Sequence, residues 1–130
     1  MQQSIGRTPS GHTTAILASK VTGTAVYNTS GESIGRVEDV VLDKMSDRIM
    51  FAVVGFGGFL GIGEKYHPLP WSQLDYDEEL GGYKVALSRA QLEQAPSYEL
   101  SDLTRPGGDV HSRTESYYSS LDRMPPGAGI

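Results

Sequence analysis

The segment from Gly58 to Lys65 carries the residue types of a phosphate-binding loop, but not in the required order. It reads Gly-Phe-Leu-Gly-Ile-Gly-Glu-Lys, whereas the phosphate loop needs lysine and then serine or threonine after its last glycine. Glu64 stands in the lysine position, where its carboxylate would repel a phosphate group. Pro68 and Pro70 follow closely and prevent the helix whose N-terminus would face the phosphates. We therefore predict that this segment binds no nucleotide.

Acidic residues cluster at two places where carboxylates could hold a divalent ion or act as an acid–base pair. Asp39 and Asp43 form one set, and the run from Asp75 to Glu79 forms the other. The run opens like a calcium-binding loop, but such a loop needs glycine and glutamate where this chain has Leu80 and Ala86. A solvated acidic turn is the favoured interpretation. A small-ligand or divalent-ion binding domain at this acidic surface stays open as the alternative function.

No other set of residues has the spacing of a catalytic or metal-binding centre. The chain has no cysteine, which excludes disulfides, thiolate metal ligands and a cysteine nucleophile. Its three histidines, His12, His67 and His111, are far apart in the sequence, and no Gly-x-Ser-x-Gly turn is present to expose a nucleophilic serine. We therefore predict no catalytic residues, no metal ligands and no cofactor, and we expect a protein that is not an enzyme.

The charge balance and the distribution of apolar residues limit the classes of partner. The chain has 11 lysines and arginines against 16 aspartates and glutamates, a formal net charge of −5. Nucleic-acid binding rests on clustered basic residues, so we expect no nucleic-acid partner. No apolar stretch approaches the ~20 residues that a membrane helix needs, and the N-terminus has no apolar leader region. We expect a cytoplasmic protein without direct membrane insertion.

Composition divides the chain of 130 residues into three parts. Residues 1–15 are mostly polar residues, glycine and proline, which predicts a flexible N-terminal segment. Residues 16–96 contain most of the aliphatic and aromatic side chains and form the predicted domain. Residues 97–130 are rich in serine, glycine, proline and charged residues, and we expect a flexible C-terminal tail.

Within the predicted domain, the apolar pattern is that of about six short strands. Alternation between apolar and polar residues runs from Ser33 to Asp43 and breaks at Glu38-Asp39, where one extra residue predicts a β-bulge. Ser88 and Gln91 have the spacing of a capping box, which predicts one short helix that ends before Pro96. Six strands in so short a domain leave unpaired edges unless the sheet closes. The expected fold is therefore all-β, a small closed six-stranded barrel with one short C-terminal helix and flexible tails.

Three stretches of the chain resemble the PRC-barrel domain family. They run from Gly23 to Asp43, from Val53 to Lys65, and from Pro68 through Trp71 to the segment between Leu87 and Pro96. The family includes the cytoplasmic domain of the photosynthetic reaction-centre H subunit and the C-terminal domain of a ribosome maturation factor. His67 departs from the pattern, because a plain apolar strand residue is expected there.

The resemblance implies a non-enzymatic protein–protein interaction or assembly module. A ribosome-assembly accessory factor is a further alternative, weakened because the maturation factor has a second domain that this chain lacks. We expect a protein partner of unknown identity, and a homodimer or higher homo-oligomer.

The candidate docking surface is an apolar glycine-rich loop with one neighbouring aromatic residue. Its residues are Gly57, Gly58, Phe59, Leu60, Gly61, Ile62 and Gly63, with Trp71 adjacent. The large apolar side chains of this loop either plug the end of the barrel or stay exposed to bind a partner, and the sequence favours neither. Gly31 and Gly35 are expected to be structural, at a turn and at a close approach of two backbones.

Overall fold

A computed structural model describes residues 15–61 and 65–122 of the chain. Within these residues, six strands form a single sheet and four helices pack around it. The strands are β1 (Ala25–Tyr27), β2 (Ser33–Asp43), β3 (Arg48–Gly55), β4 (Tyr66–Pro70), β5 (Asp75–Asp77) and β6 (Gly82–Lys84). The helices are α1 (Ala18–Val21), α2 (Gly57–Leu60), α3 (Arg89–Gln94) and α4 (Val110–Asp122), with short 3-10 turns at Trp71–Gln73 and Leu100–Asp102.

The sheet is mixed and open, with the strand order β4-β3-β2-β1-β6-β5. Neighbouring strands are antiparallel except β1 and β6, which run parallel. β4 and β5 are the two outer strands, and no ladder joins them in the described part of the chain. The expectation of an all-β, closed six-stranded barrel is therefore wrong, because the sheet does not close and helices form a substantial part of the fold.

The outer edge of β4 explains why the sheet stays open. Tyr66 directs its N–H and C=O away from β3 and exchanges hydrogen bonds of 2.9 and 2.8 Å with Tyr98. Backbone groups alternate in direction along a strand, so Pro68 and Pro70 face the same way as Tyr66. Because proline has no N–H, these two positions offer no donor to a further strand. The edge that would have to pair with β5 is thus blocked.

β2 has an irregular pairing with β3 and one glycine at a close approach of two backbones. The register between β2 and β3 shifts between Val37 and Asp39, which confirms the bulge predicted near Glu38-Asp39. Gly35 passes so close to the end of β3 that a Cβ atom placed on it would overlap the carbonyl oxygen of Gly55. The same Cβ would lie 2.8 Å from Cδ1 of Phe56. Only glycine fits here without a shift of backbone.

The core consists of two clusters. The main cluster collects apolar side chains from the strands and from α1, α2, α3 and α4, including Val26, Val37, Leu69, Leu92 and Tyr118. A smaller second cluster contains Phe51 and Val53 of β3 together with Leu103 and Val110. Since Leu103 and Val110 belong to the C-terminal part of the chain, that part covers apolar residues of the sheet.

A flexible tail is expected over residues 97–130, of which the structure describes 97–122, here named the C-terminal segment. This segment contains a 3-10 turn and the 13-residue helix α4, whereas residues 123–130 lie outside the described residues. Val110, Thr114 and Tyr118 are buried at helical spacing on one side of α4. The helix packs with this side against the rest of the protein. Its other side is polar, and for this reason the sequence pattern did not indicate a helix here.

The other helix assignments follow local signals. Ser88 caps α3 by accepting a hydrogen bond from the N–H of Gln91 at 3.1 Å, and the Gln91 side chain accepts one from the N–H of Ser88 at 2.8 Å. This confirms the predicted capping box.

Among residues 15–61 and 65–122, no helix combines the length and the apolar character that crossing a membrane would require.

Replacing Gly35 with alanine should strongly destabilise the protein, because the added methyl group has no space beside Gly55 and Phe56. We expect a loss of about 1–3 kcal/mol or more in the free energy of unfolding, measured by urea denaturation. Gly58→Ala is the matched control, because a Cβ at Gly58 meets no atom within 4 Å. Equal stability of the Gly35→Ala and wild-type proteins would contradict the close approach.

Candidate functional site

The described part of the glycine-rich loop is folded onto the main core. Gly57–Leu60 form the single turn α2, which ends at Gly61 in the left-handed conformation (φ +71°). Leu60 is only 7% exposed and belongs to the main core cluster. Phe59 is half-buried, and the Arg89 guanidinium lies 5.0 Å from the centre of its ring. Leu60 thus plugs the core, while Ile62 and Gly63 lie outside the described residues.

Trp71 also packs inward. Its ring meets that of Tyr83 edge-to-face at a centroid distance of 5.6 Å, and Tyr76 meets the same tyrosine at 5.2 Å. Trp71 is half-buried against the main cluster. Leu60 and, in part, Phe59 and Trp71 therefore contribute to the packing of the fold, and the docking role of the loop stays a prediction.

The segment that resembles a phosphate loop has the wrong local structure for that role. Lys65 is followed by β4, where the phosphate loop is followed by a helix. A shallow cleft of about 350 Å³ lies beside it, lined by the glycines 35, 55, 57 and 58 and by Arg36, Glu38 and Lys65. Arg36 pairs with Glu38 at 3.2 Å, and Lys65 pairs with Glu99 at 3.9 Å. The two cations of the cleft are thus already paired with carboxylates.

The acidic residues serve the turns in which they occur. Asp43 accepts hydrogen bonds from the N–H of Met45 at 3.0 Å and the Ser46 hydroxyl at 2.8 Å, and these bonds lower its pKa. Asp77 accepts bonds from the N–H groups of Glu79 and Leu80, and the bond to Leu80 is the main reason that its pKa is lowered. Within residues 15–61 and 65–122, no three acidic or histidine side chains are grouped closely enough to hold a metal ion.

Gly31 lies in a turn that Asn28 organises. The Asn28 side chain accepts hydrogen bonds from the N–H groups of Ser30 and Glu32 at 3.0 and 2.9 Å. Gly31 has φ +83°, a conformation that favours glycine. Gly35 lies at the close approach described above. Both glycines thus have conformational or steric roles.

His67 is a buried polar residue in β4. Its imidazole packs edge-to-face against the Phe56 ring at 5.4 Å, and neither ring nitrogen has a hydrogen-bond partner of normal geometry among the described residues. Burial lowers the pKa of His67, and the backbone carbonyl of Pro96 opposes this only in part. The neutral imidazole therefore occupies the apolar position that the strand pattern expects.

A larger apolar groove lies at the other end of the β2–β3 hairpin, and sequence reasoning missed it. It has a volume of about 800 Å³ and lies between the hairpin and the C-terminal segment. We name it the docking groove. Its apolar lining consists of Val40, Val41, Leu42, Met45, Met50, Phe51, Val53, Leu100, Leu103 and Val110.

Several side chains of the docking groove are strongly exposed. Met45 at the hairpin turn is 91% exposed, Leu42 is 64% exposed and Leu100 is 52% exposed. Large apolar side chains grouped on a surface in this way usually mark an interface. The helical spacing of Val110, Thr114 and Tyr118 was the available signal that the C-terminal segment would form one wall of the groove.

Charged side chains border the docking groove on both long walls. Asp39, Asp43 and Lys44 lie on the hairpin side, whereas Arg105 and His111 lie on the side of the C-terminal segment. Arg105 also pairs with Asp102 within its own turn. The groove therefore combines an apolar floor with borders of mixed charge.

Comparison with known families identifies the region that contains the sheet. A family model described as the PRC-barrel domain matches residues 13–92, which is more than half of the chain. This confirms the resemblance found in the sequence. The search of curated proteins found no match. The C-terminal segment lies beyond the matched region.

The burial of His67 predicts acid sensitivity. The folded protein holds a neutral imidazole, whereas the unfolded chain takes up a proton near pH 6.5. The free energy of unfolding should therefore decrease as the pH falls below about 6.5, by at most about 1.4 kcal/mol per pH unit. His67→Leu should lose this dependence and His111→Gln should keep it, as measured by urea denaturation between pH 7.5 and 5. An unchanged dependence in His67→Leu would refute the assignment.

Proposed function

The chain belongs to the PRC-barrel domain family, and from this premise we propose that it is a non-enzymatic protein–protein interaction module. The cytoplasm is the compartment that we propose for it. The observation that carries the proposal is the docking groove, where Leu42, Met45 and Leu100 expose large apolar surfaces around a hollow. A groove of this kind fits the apolar side chains of another protein.

The docking groove is a better candidate than the glycine-rich loop. Leu60 is buried in the main cluster and Phe59 is half-buried, so without unfolding α2 a partner could reach Phe59 only in part and Leu60 not at all. Replacing these two residues would damage the core and the surface together. Met45 and Leu42, in contrast, are available without any rearrangement of the fold.

We propose that the partner is a second copy of this chain. A symmetric dimer requires one surface that is complementary to itself. The docking groove offers a protruding Met45 beside an apolar hollow, so one chain carries both complementary features. In a twofold arrangement, Met45 of each copy enters the hollow of the other.

The double variant Leu42→Ser, Met45→Ser should prevent self-association and leave the fold intact. Each apolar side chain buried in the interface contributes roughly 1.5 kcal/mol to the free energy of association. Because a symmetric dimer buries the same side chain twice, its replacement should raise the dissociation constant of the dimer about a hundredfold. We expect at least this effect, measured by sedimentation equilibrium over a range of protein concentrations.

Leu17→Ser is the matched control. Leu17 is 68% exposed, like Leu42, but it lies at the start of α1 and outside the docking groove. It should leave the association unchanged. A wild-type chain that stays monomeric at every concentration would overturn the second copy as partner, and a dimer that survives in the double variant would overturn the docking groove as its interface.

A further inference from the structure

The C-terminal segment is seated on the sheet by a small number of defined contacts. Tyr98 forms the two backbone hydrogen bonds with Tyr66 at the edge of β4. Leu103 and Val110 pack in the second cluster, and Tyr118 packs in the main cluster. The Tyr117 hydroxyl donates a hydrogen bond of 2.5 Å to the carbonyl of Gln91 in α3. These contacts fix both ends of α4.

The region where the C-terminal segment packs on the sheet, here named the seat, contains every buried side-chain polar atom that lacks a hydrogen-bond partner in the described part of the chain. These atoms are the hydroxyl oxygens of Tyr98, Thr114 and Tyr118 and both ring nitrogens of His67. Thr114 and Tyr118 belong to α4, Tyr98 precedes it, and His67 lies in β4, the strand against which α4 packs. A buried polar group without a partner opposes burial, so each of these groups weakens the docking of the segment.

The connection within the C-terminal segment allows α4 to move separately. Residues 104–109 are all exposed and include Pro106, Gly107 and Gly108. Gly107 has φ +76°, which is a conformation of low cost for glycine alone. Neither apolar packing nor a regular element holds this stretch, so α4 can leave the sheet without pulling on the strands.

We propose that α4 is a detachable cover of the β3–β4 face, which opens while the six-stranded sheet remains folded. Opening takes Val110 away from Phe51 and Val53 and removes the part of the groove wall that Val110 and His111 provide. The cover thereby regulates docking, an inference that rests on the proposed function. Only the closed cover presents the complete groove to a second copy.

The test is amide hydrogen exchange of the full chain, followed by NMR. The amides of α4 should exchange through a local opening that responds little to low urea concentrations, whereas those of β2 and β3 should exchange only through unfolding of the whole protein. Equal protection of α4 and β3, with the same response to urea, would overturn the detachable cover.

Two neighbouring tyrosines provide matched variants with opposite expected effects. Tyr118→Phe removes a buried hydroxyl without a partner and should raise the protection of the α4 amides about fivefold or more. Tyr117→Phe removes the bond to Gln91 and should lower it about fivefold. Thr114→Val, which also removes an unpaired hydroxyl, should act like Tyr118→Phe. If Tyr118→Phe and Thr114→Val both lower the protection, the unpaired groups do not weaken the seat and the inference fails.

The link to docking has a separate readout. Raising the concentration of the wild-type protein should increase the protection of α4 together with dimer formation, and the Leu42→Ser, Met45→Ser variant should show no such increase. A dimer that forms without any change at α4 would overturn the regulatory role. A chain that stays monomeric while α4 opens locally would overturn the proposed function and leave the detachable cover standing.

Discussion

The outer edge of β4 is the constraint on which the rest of the architecture depends. Pro68 and Pro70 remove the donors that a closing strand would need, and Tyr66 gives its remaining backbone groups to Tyr98. The sheet therefore stays open, and the chain beyond α3 runs past β4, where Tyr98 pairs with Tyr66. From there it reaches the far face of the sheet, covers Phe51 and forms a wall of the docking groove.

Much of the local structure could be predicted from the sequence, because local signals decide it. The six strands, the bulge near Glu38-Asp39 and the capping box at Ser88 each follow from a few adjacent residues. Closure of the sheet could not be predicted in this way. It depends on which side of β4 the prolines face, and that direction is set by the pairing with β3. The helix α4 was missed because its polar residues outnumber the buried stripe of Val110, Thr114 and Tyr118.

The candidate site shows the same limit. The sequence identified Phe59 and Leu60 as large apolar residues on a glycine-rich loop, but it favoured neither of their two possible roles. The structure places Leu60 in the core, since α2 turns the loop inward. The docking groove joins the β2–β3 hairpin to the C-terminal segment, and this juxtaposition exists only in the folded chain. Met45 is an ordinary turn residue in the sequence and becomes notable only beside Leu100.

The parallel pair of β1 and β6 has a consequence for the folding pathway. β1, β2 and β3 each pair with the next strand in the sequence, and β5 pairs with β6, so two units can assemble from local contacts. The pairing of Val26 with Tyr83 joins these two units, although the two residues are far apart in the sequence. The backbones approach closely here, because a Cβ atom added to Gly82 would lie only 2.5 Å from the carbonyl oxygen of Ala25. Closing the loop between them costs chain entropy before any contact is gained. We therefore expect this pairing of β1 with β6 to form late in folding, and a nascent chain cannot complete the sheet until β6 has been synthesised.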